Sequence, residues 1–173
     1  MVAVKDGDTV KVEKSGKVQT VRLACIDAPE KGQLPYGASS LTALSNYLPV
    51  GAIVGLRTIA VDKYGRQVSE VFKSGMSVNV EMVKTGNAFV YRSFLKNCNV
   101  DVYNGAEKLA HTGRLGVWAD SPNGIIRPWV WRHAQTTSPT VTCKSLGNRQ
   151  KAIELYNAGH TYLDRNNDGI PCN

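Results

Sequence analysis

Arginines and carboxylates recur in three short segments of this chain, in a pattern that suits chemistry on phosphate esters. The segments are DGDT at 6–9, CIDAPE at 25–30 and DKYGR at 62–66, and Arg22 lies just before the second. Carboxylate oxygens are hard ligands for divalent cations, and guanidinium groups bind phosphate oxygens in a bidentate manner. Together they offer a cation site, two arginines for the charge of a phosphoryl transition state and a carboxylate for the attacking water.

Each segment also has an ordinary structural interpretation. DGD is a common turn, and KYGR suits the solvated tip of a hairpin. Asp27 could cap a helix with Pro29 in its first turn and Glu30 as the capping partner, while Arg22 reaches outward. In VRLACI, however, both alternating faces are apolar except for Arg22, which is typical of a strand covered on both sides. Because a buried arginine needs an anionic partner, the pattern favours the catalytic interpretation.

Alternating β-branched segments indicate the strands that must position these side chains. They are VAV, DTVKVE, VQTVRLACI, AIVGLRTIAV and RQVSEVF, separated by turn sequences such as DGD, KSGK and YGR. Helical patterns follow at YGASSLTALSNYL (36–48), SVNVEMVKTG (77–86) and DVYNGAEKLAHTGRLGVW (101–118). The sequence therefore predicts an α+β fold in which five strands form a β-barrel of the oligonucleotide-binding (OB) type with about three helices.

The composition is that of a globular protein with a basic body. The 173 residues carry a net charge of +7, and residues 1–140 hold 17 of the 21 Lys and Arg but 11 of the 14 Asp and Glu. Any attraction to a polyanion therefore belongs to the body rather than to the tail. No apolar run in the sequence is long enough to span a membrane. We expect a monomer.

Four cysteines, Cys25, Cys98, Cys143 and Cys172, are shared equally between body and tail, and none stands in a CxxC pair. This spacing argues against a zinc site. The even number indicates two disulfides formed in an oxidising compartment, with three connectivities open at this point. We expect a secreted, periplasmic or cell-surface protein whose leader is absent from this chain.

The charged segments, in this order, resemble the staphylococcal-nuclease (thermonuclease) family across roughly residues 2–118. The matching features are DGDTV near the start, an arginine five residues before DAPE, then DKYGR, then the aromatic strand AFVYR before the last helix. The resemblance implies a calcium-dependent, sugar-nonspecific nuclease that hydrolyses DNA and RNA to 3′-phosphorylated products. The alternative is a non-catalytic barrel that binds nucleic acid. Degenerate members of the superfamily that work in this way typically lose the arginines or acidic residues, which are all present here.

The resemblance also implies a metal site made of oxygen ligands. Asp8 and Asp27 would ligate calcium together with the backbone carbonyl of Ala28. Asp6 would support these ligands from behind. Glu30 would hold or activate the attacking water, as a direct ligand of the metal or through water.

The remaining roles that the resemblance implies concern the substrate. Arg22 and Arg66 would bind the scissile phosphate and stabilise its transition state. Phe89 stands where a tyrosine is common, so it would lose a hydroxyl contact but keep a stacking face. Three further residues fall where the family binds the terminal phosphate and the base or sugar: Lys63, Tyr64 and Tyr91.

The composition changes from about Ala119. We expect a nuclease domain at 1–120, a Pro/Ser-rich linker at 121–140 whose tryptophans pack on the barrel, and a small module at 141–173. Within this module, Cys143 and the later LDRNNDGIPC resemble the excalibur calcium-binding family, because DxNxDG is the first half of an EF-hand-type loop. The resemblance implies a second, weaker calcium site with a Kd of about 10⁻⁴–10⁻³ M. Its ligands would be Asp164, Asn166, Asp168 and the backbone carbonyl of Ile170.

Two alternatives exist for the tail. The loop could be an Asx-rich turn stapled by a disulfide, and the tail could bind a polyanion of the cell wall or membrane, although its net charge of +1 gives little support for that. The staphylococcal-nuclease barrel would bring the strand of Cys25 close to the start of the last helix. The resemblance therefore implies the pairs Cys25–Cys98 and Cys143–Cys172.

Overall fold

The chain divides into two compact units, Met1–Pro128 and Trp129–Asn173. The computed structural model describes residues 1–137, 143–146, 149–157 and 171–172. Among these residues, no helix has both the length and the apolar character needed to cross a membrane.

The first unit has a mixed α+β architecture, as the sequence predicts. Its strands are β1 (Ala3–Asp6), β2 (Thr9–Lys14), β3 (Lys17–Leu23), β4 (Ile26–Asp27), β5 (Gly55–Val61), β6 (Gln67–Lys73), β7 (Met76–Ser77) and β8 (Phe89–Val90). Its helices are α1 (Tyr36–Tyr47), α2 (Val78–Lys84) and α3 (Val100–Thr112), with 3₁₀ helices at Arg92–Asn97 and Gly116–Trp118. Each of the three predicted helices is confirmed, and the third is shorter than its pattern because it ends before Gly113.

Two sheets organise the strands. The larger one has the order β1-β2-β3-β6-β5 with β7 on β6, and the smaller one pairs β4 with β8. Only β3 and β6 run parallel within the larger sheet. Strands β1 and β5 are the two ends of the path and share no ladder in this unit, so the sheet is not closed into the predicted barrel.

The hairpin of β2 and β3 follows directly from its sequence. Ser15 and Gly16 form a two-residue turn in which both φ angles are positive, 51° and 76°, as the twist of a tight hairpin requires. This turn sets the register so that Thr9 pairs with Arg22 at the opposite end of the ladder. The loop of Asp8 and the charged position on β3 are thereby brought side by side.

The apolar run VQTVRLACI does not form one continuous strand, in contrast to the prediction. Strand β3 ends at Leu23, and Cys25 has a φ of 64°, in the left-handed region. Asn79, which is fully buried, supports this bend, because its amide donates to the carbonyls of Ala24 (2.9 Å) and Ser69 (3.2 Å). After the bend, Asp27 pairs with Phe89 in the β4–β8 ladder rather than continuing along the larger sheet.

The helix-cap interpretation of Asp27 is wrong. Helix α1 begins at Tyr36, with Pro35 at its N-cap position, several residues beyond Asp27. The intervening chain forms turns that Gln33 holds together, as described below. Asp27 therefore does not cap α1. It lies in β4 and is 0% exposed.

The core lies between the larger sheet and the three helices. Its fully buried side chains include Leu23, Leu44, Met82 and Tyr103. Cys25 and Cys98 form a disulfide with their Cα atoms 6.5 Å apart, which is the pair that the family resemblance implied. The bridge joins the bend after β3 to the entry of α3.

The segment predicted as a linker includes helix α4 (Pro128–Thr137). In the second unit, α5 (Cys143–Leu146) and α6 (Arg149–Asn157) are described, and Cys143 forms a disulfide with Cys172. The predicted calcium ligands of the tail, at 164, 166, 168 and 170, lie outside the described residues. The domain boundaries near 120 and 140, and the packing of the tryptophans on the barrel, stay predictions.

Candidate active site

Arg22 lies between two carboxylates at the end of the β2–β3 ladder. Its guanidinium forms ion pairs with Asp8 Oδ2 and, at 2.5 Å, with Asp27 Oδ1. The side chains of Arg22, Asp8 and Asp27 are only 14%, 11% and 0% exposed. A charge this buried needs such partners, and the anionic partner expected for Arg22 from the sequence therefore consists of two aspartates.

Backbone hydrogen bonds fix the loop of Asp8. Asp8 Oδ2 accepts from the N–H of Ala28 at 2.8 Å, which links this loop to the CIDAPE segment. Asp6 Oδ1 accepts from the N–H of Asp8 at 3.1 Å, so Asp6 stabilises the turn that carries Asp8; its support of a metal ligand stays a prediction. Gly7 allows the close packing, because a Cβ atom there would lie 2.7 Å from the Cβ of Ala28.

Gln33 organises the loop that carries Glu30. Its side-chain oxygen accepts from the N–H of Glu30 at 3.0 Å, and its own N–H donates to the Glu30 carbonyl at 2.8 Å. Its amide nitrogen also donates to the carbonyl of Ile126 at 2.7 Å. Gly37 allows the first turn of α1 to pack closely against the backbone of Glu30. A Cβ atom at residue 37 would lie 2.9 Å from the carbonyl carbon of Glu30. The backbone of Glu30 is thus held from both sides.

Arg66 is held by Asp62 across the tip of the β5–β6 hairpin. Arg66 Nε donates to Asp62 Oδ2 at 2.6 Å, and the N–H groups of Arg66 and Tyr64 both donate to Asp62 Oδ1. Desolvation raises the pKa of Asp62, but these hydrogen bonds and the Arg66 charge outweigh it, so the pKa lies below its ordinary value. Asp62 is therefore an anion that orients Arg66.

Register places the start of β6, the strand that follows Arg66, beside the end of β3 that carries Arg22. Arg22 pairs with Val68 in the parallel β3–β6 ladder, and paired residues point to the same face. Arg66 comes directly before β6, two residues ahead of Val68. If the alternation of β6 continues through this residue, both arginines face the same side of the sheet, and this placement stays a prediction.

The predicted substrate contacts occupy two surfaces. On the hairpin tip, Tyr64 is 72% exposed, and the cations of Lys63 and Arg66 lie 5.1 and 5.4 Å from its ring centroid. Tyr91, at the end of β8, is half-buried; its N–H donates to the carbonyl of Cys25 at 2.9 Å, and its ring centroid lies 4.7 Å from that of Phe94.

The stacking face expected at Phe89 is not offered to a ligand. Phe89 is 0% exposed. Its ring packs edge-to-face against Trp118, with the ring centroids 5.2 Å apart. The guanidinium of Arg127 lies 4.0 Å from the centroid of the Phe89 ring. The expectation was wrong because the segment after Trp118 folds back over this ring.

Three residues of the site have no assigned role in the sequence-based prediction: Gln33, Asp62 and Arg127. Asp62 lies four residues before Arg66, and this short spacing within DKYGR could have revealed the pair. Gln33 and Ile126 are 93 residues apart, and Arg127 and Phe89 are 127 − 89 = 38 residues apart. Such long-range contacts leave no periodic signal in a single sequence.

The donor set suits a hard divalent cation. Asp8, Arg22 and Asp27 together carry a net charge of −1 in a place that water scarcely reaches, and a bound cation would offset it. Within the described residues, no group of three or more His, Cys, Asp and Glu side chains is disposed to hold a metal. The two carboxylates would therefore need backbone carbonyl, water or phosphate oxygens to complete the shell, which is usual for Ca²⁺.

Comparison with known proteins identifies the family of this chain. A family model described as staphylococcal nuclease homologue matches residues 20–120. The chain is 38% identical over 135 residues to an uncharacterized endonuclease of Escherichia coli O157:H7, covering 77% of this chain and 83% of that protein. It is 36% identical over 143 residues to a micrococcal nuclease of Shigella flexneri, covering 78% of this chain and 79% of the relative.

A plant relative extends the comparison. The probable staphylococcal-like nuclease CAN1 of Oryza sativa subsp. japonica is 33% identical over 120 residues, which cover 69% of this chain and 34% of the rice protein. The matched residues 20–120 include Arg22, Asp27, Glu30 and Arg66. By its sequence and by the family model that it matches, the chain belongs to the staphylococcal nuclease homologue family.

Proposed function

We propose that this protein is an exported, calcium-dependent nuclease that hydrolyses phosphodiester bonds of DNA and RNA and leaves 3′-phosphorylated products. The observation that carries the proposal is the buried cluster of Arg22 with Asp8 and Asp27. Arg66, which Asp62 orients just before the strand that pairs with β3, supplies the second arginine. Membership of a nuclease family supports nucleic acid as the substrate. The two disulfides support an oxidising compartment. We infer that the fold is of the OB type found in this family.

The proposed mechanism begins with the scissile phosphate bound by the two arginines. Asp8, Asp27 and the carbonyl of Ala28 would hold calcium, which as a Lewis acid would stabilise charge on the phosphate oxygens. Glu30 would orient the attacking water and accept its proton. The water oxygen forms a bond to phosphorus while the bond from phosphorus to the 5′ oxygen breaks, and the 5′ oxygen takes up a proton. Arg22 and Arg66 would stabilise the extra negative charge of the transition state.

The substrate would extend from this centre in two directions. Lys63 and Tyr64 stand exposed on the hairpin tip beside Arg66, where a terminal phosphate and sugar would bind. Tyr91 would contact a base or sugar at the end of β8. The second, weaker calcium in the tail loop stays a prediction.

A plasmid assay distinguishes the nuclease from a non-catalytic binding module. Covalently closed plasmid and single-stranded RNA are incubated with the protein in calcium, and then with excess chelator. We expect degradation of both in calcium, none in chelator, and strong loss with Arg66→Gly. Binding of nucleic acid without any strand cleavage would support the non-catalytic alternative instead.

A further inference from the structure

A concave surface lies along α3, outside the cluster of Arg22 and the aspartates. This surface, called here the α3 cleft, has a volume of about 450 Å³, and its lining includes Arg92, Lys108 and Arg127 together with Glu107 and Trp118. Three cations face one carboxylate, so these residues carry a net charge of +2. Such a surface attracts anions.

Two of the three cations are held in place by the fold. Arg92 donates to Asn104 Oδ1 at 2.9 Å and forms an ion pair with Glu107 at 2.5 Å. The guanidinium of Arg127 lies 4.7 Å from the ring centroid of Trp118 and donates to the carbonyl of Asn123 at 3.0 Å. Cations that are already oriented lose little conformational entropy when they bind a ligand. These two guanidinium groups are therefore preorganised to bind an anion.

Burial lowers the pKa of Arg127 from its ordinary value, while nearby Glu107 raises it. A guanidinium nevertheless stays charged at neutral pH. Lys108 is exposed on α3 and adds a cation that solvent reaches freely. The cleft also offers the exposed ring of His111, and nucleic-acid sites commonly combine cations with aromatic rings. Trp118 is 5% exposed and instead supports the guanidinium of Arg127.

The cleft lies beside the proposed catalytic centre. Phe89, on whose ring Arg127 rests at 4.0 Å, pairs directly with Asp27 in the β4–β8 ladder. Arg92 follows Tyr91, the residue expected to contact a base or sugar. A strand bound at the catalytic centre and passing Tyr91 would therefore meet the α3 cleft next.

We propose that the α3 cleft binds backbone phosphates of the nucleic-acid strand that flanks the scissile bond. The proposal rests on the proposed function for the choice of ligand. Its occupant is a polyanion with a regular phosphate spacing. The cleft brings together three cations from three segments, Arg92 of the first 3₁₀ helix, Lys108 of α3 and Arg127 just before α4, and single strands bind to such basic grooves through their phosphates. Lys108 contacts a phosphate in this arrangement, and Arg92 and Arg127 line the path to it.

The test measures binding without cleavage. Fluorescence anisotropy in excess chelator gives the Kd of the full chain for fluorescein-labelled oligothymidylates of two and of twelve nucleotides. Lys108→Ala is the test variant, since its exposed side chain can be removed without disturbing the core. Lys14→Ala is the matched control, because Lys14 is also exposed but lies at the opposite end of the ladder that joins Thr9 to Arg22.

We expect Lys108→Ala to weaken binding of the twelve-nucleotide strand about fourfold at about 0.15 M salt. The slope of log K against log[salt] should become less steep by about 0.7, which corresponds to the loss of one phosphate contact on a single strand. The dinucleotide should bind the variant and the wild type equally, because it is too short to reach the cleft. Lys108→Glu should weaken binding further, and Lys14→Ala should bind both strands as the wild type does.

Three results would overturn the proposal: wild-type Kd values for Lys108→Ala, an equal loss with Lys14→Ala, or an equal loss on the dinucleotide. A parallel hydrolysis assay in calcium separates this proposal from the proposed function. Binding that depends on Lys108 without hydrolysis would refute the nuclease and leave the cleft standing. Hydrolysis with no effect of Lys108 on binding would refute only the cleft.

Discussion

At the scale of single residues, Arg22 and Arg66 differ in how deeply they are embedded in the fold. Arg22 pairs with two carboxylates and is 14% exposed, whereas Arg66 pairs with Asp62 and is 33% exposed. Removing Arg22 breaks both of those buried pairs, which typically costs about 3–5 kcal/mol. Removing Arg66 should change stability less, because its ion pair with Asp62 is partly open to solvent, and pairs near the surface contribute about 1 kcal/mol or less. Arg66 therefore gives the cleaner test of catalysis.

We predict that Arg66→Gly, Arg22→Gly and Glu30→Ser each lower kcat at least about 100-fold, because one preorganised charge stabiliser contributes about 2.7–4 kcal/mol to the transition state. Initial rates on an oligonucleotide in saturating calcium measure this effect. Arg114→Gly is the control: Arg114 is exposed and has a φ of 50°, a conformation that glycine adopts easily. A variant that is folded by circular dichroism and keeps wild-type turnover would remove its residue from the mechanism.

The residues that the sequence identifies best are those inside short charged motifs. Arg22, Asp27 and Arg66 are recognisable because their types and local spacing carry the signal. Gln33 is not, since glutamine has no distinctive chemistry and its partner Ile126 lies 93 residues away. Phe89 was misjudged for the same reason, because its ring is covered by a residue from a distant segment.

At the scale of elements, the bend after β3 decides whether Asp27 faces Arg22. An apolar run predicts a strand but carries no sign of where it ends, and VQTVRLACI stays apolar through the bend at Cys25. The structural cause is tertiary, since buried Asn79 bonds to the carbonyls of Ala24 and Ser69. The turn at Ser15–Gly16 was predictable because serine is common in turns and glycine adopts a positive φ without steric cost.

The loop of Glu30 depends on Gln33, and this gives the second prediction. Gln33→Ala should lower kcat about tenfold with KM little changed, because the Glu30 carboxylate would be less well oriented while the arginines still bind the phosphate. Gln19→Ala is the matched control; it removes an amide hydrogen bond of 2.9 Å to Gln67, away from Glu30. Equal effects of the two substitutions on kcat would show that Gln33 does not position Glu30.

A buried network joins α3 to the larger sheet. Tyr103 donates to Glu70 Oε1 at 2.7 Å, and Arg57 Nε donates to Glu70 Oε2 at 2.7 Å. Burial, and then the hydrogen bond to Glu70, raise the pKa of Tyr103 far above its ordinary value. A tyrosine with a raised folded-state pKa contributes stability that is complete below its unfolded pKa near 10 and is lost as the pH rises beyond it.

The third prediction follows from the upward shift of the Tyr103 pKa. Tyr103→Phe should destabilise the protein by about 1–3 kcal/mol at neutral pH, because Glu70 loses a buried donor. Above about pH 10 the difference from the wild type should shrink by roughly 1.4 kcal/mol per pH unit, since only the unfolded wild type ionises at this position. Urea unfolding of both proteins between about pH 8 and pH 11 measures it. A difference that stays constant over this range would contradict the pKa shift.

At the scale of the whole molecule, the two disulfides belong to different units. The Cys25–Cys98 bridge closes a loop of 73 residues within the first unit, and Cys143–Cys172 closes one of 29 residues in the second. In the chain-entropy model, a loop of the first size contributes about 4 kcal/mol. The first bridge therefore stabilises the unit that carries the candidate site.

The fourth prediction compares the two bridges. The variant with Cys25→Ser and Cys98→Ser should lower the Tm of the first unit by many degrees, whereas Cys143→Ser with Cys172→Ser should leave the Tm of that unit and the initial rate nearly unchanged. Thermal unfolding followed by the fluorescence of Trp118 reports on the first unit when the α4 tryptophans, Trp129 and Trp131, are replaced by phenylalanine. Equal shifts from the two variants would show that the bridges do not act on separate units.

The central claim is that Arg22, Glu30 and Arg66 direct water to phosphorus with the help of calcium. Isotope transfer tests this claim most directly. A defined DNA oligonucleotide is hydrolysed in ¹⁸O-labelled water, with calcium and with chelator, and the fragments are weighed by mass spectrometry. We predict that calcium yields fragments with one ¹⁸O in a 3′-phosphate and partner fragments with a 5′-hydroxyl, and that chelator yields no cleavage. Label in a 5′-phosphate, absence of label, or an undiminished rate in chelator would contradict the mechanism.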